Sequence, residues 1–178
     1  MKIKIVHIKK DTANTIAVSF FMEDRLIMTD TMQKTATAEL LTAVYKNVRM
    51  ASDSLLNLMP KIKDEEFKNA VTVQLSVYEG FASRTAKLLA EEGAKPEEEG
   101  MITKLSAKMG MAVNTLRDAS TSHLAEMIIE GAVMGVNDLT QQIHKAETKG
   151  ASKDALHLAG HLCEYEEKIA KDYRVYLK

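Results

Sequence analysis

One cysteine, two prolines, eight glycines and no tryptophan stand in a chain of 178 residues. A single cysteine excludes an intrachain disulfide scaffold and fits a reducing cytoplasm. So few chain breakers, together with eleven methionines, favour long helices over sheets and turns. No sign of charge dominates: 24 basic and 25 acidic residues are mixed along the chain and leave a net charge of −1. Without a basic block, electrostatics recommends neither nucleic acid nor an anionic membrane as a partner. No apolar run approaches the ~20 residues that a membrane-spanning helix needs. Also missing are a glycine-rich phosphate loop and any serine or cysteine in a recognised nucleophile motif. These absences weigh against an enzyme.

What is present suits one domain with a proper core. The first 32 residues stand apart. "KIKIVHI" and "TIAVSFF", turned through "KKDTAN", read as a short β-hairpin, with a disordered extension as the alternative. A second reading makes Met22 the natural start, with 1–21 as upstream sequence, and both readings stand. Residues 33–178 then form a single helical domain. Helix A (33–59) carries Leu41, Val44, Val48, Ala51, Leu55 and Met59 at helical spacing and ends at Pro60. Asp64 caps helix B (65–92), whose stripe is Phe67, Val71, Leu75, Tyr78, Ala82, Thr85 and Leu89. Gly93 stops it. Helix C (97–118) shows Met101, Leu105, Met109, Ala112 and Leu116. Ser120, Thr121 or Ser122 caps helix D (122–147), and Gly150 and Ser152 separate that from helix E (153–177).

Breaks this short make consecutive helices antiparallel, and each helix spans ~30–40 Å. Helix C is either a fifth bundle member or a crossover between two antiparallel hairpins. In the second case the layout resembles the ferritin-like superfamily. "LLAEEGAKPEEEG" after helix B and "HLAEMIIEGAVMGVNDLTQQIHKA" in helix D are similar to small bacterial domains of that kind. The likeness covers 35–177 and rests on layout more than on any motif. It implies an all-α, up-down bundle of four long helices plus a shorter helical crossover.

The resemblance also implies a di-iron site, with a glutamate on each of two helices and Glu-x-x-His on the other two. This chain has no Glu-x-x-His, and "LLTAVYKNVRM" in helix A has no acid at all. What survives is Glu79 on helix B, Glu130 on helix D, and His161 with Glu164 on helix E. These four would make a rebuilt carboxylate and histidine site for iron, manganese or zinc. In "HLAGHLCEYEE" (157–167), Leu158, Leu162 and Tyr165 form the core face, continued by Ile169, Tyr173 and Tyr176. His157, His161, Glu164 and Lys168 form a row that reads as a helix edge. Cys163 lies on the other flank as a small packing residue. Helix D, apolar round most of its circumference, should be central and covered on several sides. Its polar strip is either its one wet face or a seam inside the bundle, where Glu130 would meet Glu79 or His161.

The leading expectation is a non-enzymatic bundle of the bacterial cytoplasm with a structural or partner-binding role. No cofactor is expected, and apolar helix faces would join it to a second copy or to a protein partner. The alternative is the metal-handling protein just described. A third class is a carrier with a Met- and Tyr-lined pocket between helices, with no specific residue behind it.

Overall fold

Neither glycine nor proline interrupts residues 1–59, and the chain uses that freedom to build one helix. α1 runs from Lys4 to Leu58 and closes in a 3-10 turn, Met59–Lys61, around Pro60. The computed structural model describes residues 4–95 and 118–177, with side chains from residue 27 onward. The expected β-hairpin is corrected: from Lys4 on, both of its strands lie within α1. A lone hairpin buries little, and "KKDTAN" offers no glycine for a tight turn. A helix instead satisfies its own backbone donors and acceptors. The boundary drawn after residue 32 marks no break in the helix, and burial begins at Ala36.

α2 spans Glu65–Glu91. The Asp64 carboxylate accepts a hydrogen bond from the Phe67 N–H at 2.8 Å, capping the helix. The chain leaves it through Gly93, at a φ of 72° that favours glycine, while the Ala94 N–H reaches back to the Leu89 carbonyl. α3 covers Thr121–Thr148 behind a Ser120 cap, and α4 covers Lys153–Asp172 behind a Ser152 cap. A 3-10 turn, Tyr173–Tyr176, follows α4. Helix C of the sequence reading falls outside the described residues.

Contacts at the two ends fix the helix directions. At one end, Lys149 Nζ pairs with Glu39 Oε2 at 2.8 Å, and the Ser152 N–H donates to Thr37 Oγ1 at 2.9 Å. At the other, Phe67 packs edge-on against Tyr173 and Tyr176, with ring centroids 5.7 and 4.8 Å apart. α1 and α4 therefore run one way and α2 and α3 the other. All described elements are helical, as expected from composition. Between them lie Leu40, Leu41, Val44, Val48, Phe67, Val71, Leu89, Leu124, Leu139 and Leu162, all nearly or fully buried.

α3 departs from expectation. It packs on α4 and α1, but Val133 is 46% exposed and Met134 71%. The expectation that this helix is covered on several sides is thus corrected. Its neighbours take the face marked by Leu124, Ile128, Ala132 and Leu139 and leave the next arc open. Among the described residues, no helix is long and apolar enough to cross a membrane.

Candidate functional site

The residues expected to bind metal do not meet. Glu79, Glu130, His161 and Glu164 are all exposed. Glu79 spends its charge on Arg49, whose Nη1 lies 3.2 Å from its Oε1. The His157 and His161 rings stand 3.9 Å apart on the outside of α4, as one-turn neighbours do. Lys168 pairs with Asp172. Among the described residues no three His, Cys, Asp or Glu side chains group so as to hold a metal ion. Cys163 packs partly buried against the core, where burial raises its thiol pKa and so holds it in the unreactive form.

A polar seam does exist inside the bundle, made of other residues. Glu166 on α4 is only 1% exposed, and Gln74 on α2 only 2%. Both occupy helix positions that turn inward between apolar neighbours: Leu162 and Ile169 flank Glu166, and Val71 and Tyr78 flank Gln74. Tyr78, itself buried, stands between them. Gln74 Nε2 donates to the Tyr78 hydroxyl at 3.4 Å, and that hydroxyl lies near enough to the Glu166 carboxyl to pull its pKa down. Two oxygens of this group, Glu166 Oε2 and Gln74 Oε1, are buried without a hydrogen-bond partner.

Electrostatics follows from that burial. Loss of water raises the Glu166 pKa to about 8, against a smaller opposing pull from the Tyr78 hydroxyl. The carboxyl is therefore mostly protonated at neutral pH. Burial also pushes the Tyr78 phenol well above its ordinary pKa, with the Glu166 charge adding to the effect.

These groups form the floor of a cleft of about 660 Å³ between α1 and α3. Ala51, Leu55, Ile128 and Ala132 line apolar walls, and Met50 and Met134 stand exposed at the rim. Gly135 brings α3 close to the floor. A Cβ there would lie 2.2 Å from Glu166 Oε2 and 3.0 Å from Asn47 Nδ2, so the missing side chain is what admits the carboxyl. Gly131, one turn earlier, borders the cleft with open space around it. A cavity of a few hundred cubic ångströms with apolar walls and a few convergent polar groups has the form of a small-molecule site.

Sequence reasoning turned Tyr78 inward but missed Gln74 and Glu166 by one residue each. It chose Leu75 and Tyr165 for the core stripes; both are half-buried, beside the buried Gln74 and Glu166. The available signal was Glu166 at i+4 from Leu162 and i−4 from Ala170, together with a glycine on the facing helix. Comparison with protein families, curated proteins and solved structures gave no match to this chain.

Proposed function

We propose that this protein is a non-enzymatic helical bundle that binds a small, largely apolar molecule in the cleft between α1 and α3. The observation that carries this reading is the unpartnered Glu166 Oε2 at the base of an apolar cleft. An orphaned buried oxygen costs ~1–3 kcal/mol, and a ligand that supplies a partner offsets that cost. The carrier class, first framed around Met and Tyr side chains, here gains Met50, Met134 and Tyr78 as lining and Glu166 as its anchor. A ferritin-like layout and a cytoplasmic location belong to the same proposal. Parallel α2 and α3, each paired with an antiparallel partner, support the former. The metal-handling alternative has no grouped side chains behind it among the described residues.

The neutral fluorescent probe N-phenyl-1-naphthylamine tests the cleft directly. Saturable binding at one site per chain is expected. Gly131→Phe should abolish it without destabilising the fold, because nothing lies within 4 Å of the added Cβ and phenylalanine is no worse than glycine in a helix. Binding that persists in this variant would move the site elsewhere.

A specific observation favours a second, compatible role. Val133 and Met134 on α3, and Ile27, Met28 and Met32 on α1, expose large apolar side chains. Such patches support association with a second copy or a protein partner. Light scattering should report a mass above 19.8 kDa that falls toward the monomer in a Val133→Ser, Met134→Ser double variant. A monomer at every concentration up to ~0.1 mM, at which a contact weaker than about −5.5 kcal/mol still escapes detection, ends the self-association reading.

A further inference from the structure

We infer that the ligand of this cleft carries a protonated primary amine on an apolar body, and that its ammonium group seats between Glu166 and Gln74. This rests on the cleft being a binding site and specifies what it binds. The floor presents two unpartnered buried oxygens. Gln74, Tyr78 and Glu166 line the same cleft, and Gln74 bonds to the Tyr78 hydroxyl, which also neighbours the Glu166 carboxyl. An amide oxygen only accepts, and once Glu166 gives up its proton its carboxylate only accepts, so a group that ionises it must donate at least twice. A hydroxyl donates once and brings no charge that would ionise Glu166. A carboxylate donates nothing and adds like charge. An ammonium has three donors and supplies the charge that lets Glu166 ionise where water is excluded.

The rest of the cleft agrees. Its titratable lining comprises Glu39 and Lys46 from α1, Tyr78 from α2, Asp138 from α3 and Glu166 from α4. Three carboxyl groups face one lysine. Glu39 is already engaged by Lys149, and Asp138 lies exposed beside Met134 at the rim. Acid along the entry and an apolar wall below it suit a cation with a hydrophobic tail. Proton balance is explicit: at pH 7 the carboxyl proton of Glu166 leaves to buffer as the ammonium arrives already charged. No bond other than O–H breaks.

Three compounds with one aromatic body and different heads make the test: 1-naphthylmethylamine, 1-naphthalenemethanol and 1-naphthylacetate, each displacing N-phenyl-1-naphthylamine from the full chain. The amine is expected to displace the probe at a concentration roughly tenfold to a hundredfold below the alcohol, the range for a charge-assisted hydrogen bond. That preference should vanish in Glu166→Gln, which keeps shape and removes charge. Calorimetry of the unaltered protein in two buffers of different ionisation enthalpy should show proton release with the amine and none with the alcohol. Probe binding with equal or better displacement by the alcohol or the acid overturns the amine assignment and leaves the cleft standing. Absence of probe binding by the unaltered protein overturns both.

Discussion

Glu166→Gln is expected to make the protein more stable at pH 8 and to leave it nearly unchanged at pH 4. Below pH 4.5 the carboxyl is neutral in the folded and the unfolded chain alike, and it takes no part in the balance. As pH rises past that value the unfolded chain ionises it, while the folded chain holds the proton until about pH 8. The folded state then binds more protons, so stability falls across the window from about pH 4.5 to 8. At ~1.4 kcal/mol for each unit of pKa difference, the loss approaches 3–5 kcal/mol at the upper end. Glutamine cannot ionise and escapes it. Urea midpoints for both proteins, taken from pH 4 to 9, should converge in acid and separate in alkali. Parallel curves would show that the carboxyl reaches water and is not the buried floor of the cleft.

Gly135→Ala should destabilise the protein by about 1–2 kcal/mol, although alanine is the better helix former by ~1 kcal/mol. The added Cβ would stand 2.2 Å from Glu166 Oε2 and 2.9 Å from its Cδ. The carboxyl must therefore move within a packed interior, where overpacking costs typically 1–3 kcal/mol. In a Glu166→Ala background the same Cβ meets only the end of the Asn47 side chain, at 3.0 Å, and should recover most of the helix gain. A double-mutant cycle between positions 135 and 166 should then return a coupling of about 2 kcal/mol. Additive effects would mean that the glycine and the carboxyl do not touch, and the account of the cleft floor would fail with them.

Most of the helical frame was legible in the sequence because its signals are local. The breaks at Pro60, Gly93 and Gly150 and the cap at Asp64 depend on residues within one turn of each other, and Ser120 was one of three adjacent cap candidates. The stripe on α2 was recovered at Phe67, Val71, Tyr78, Ala82, Thr85 and Leu89 for the same reason. What periodicity cannot decide is which of two adjacent residues turns inward when one is polar. Hydrophobicity favours Leu75 over Gln74 and Tyr165 over Glu166. The fold makes the opposite choice twice, and the two polar side chains belong to one cluster across the bundle. Gln74 finds Tyr78 one turn along its own helix, whereas Glu166 is tolerable only because α2 supplies Tyr78 and α3 leaves the gap at Gly135, and both of those are tertiary facts. The β-hairpin expected near the start erred differently. Its two short apolar runs were given strand period, although no breaker separated them and helix was equally open to both.

The buried hydroxyl of Thr37 ties α1 to the α3–α4 turn across 115 residues of chain, whereas Arg49 and Glu79 tie α1 to α2 across 30. Closing the longer loop costs little more than closing the shorter one. Loop entropy rises by only about 0.6 kcal/mol for each doubling of length, and the ratio here is just under two doublings. One hydrogen bond of ordinary net strength, ~1 kcal/mol, nearly offsets that difference. Joining one helical pair to the other is thus almost free of additional chain entropy, and the wide separation of Thr37 and Ser152 along the sequence is no burden on the assembled bundle.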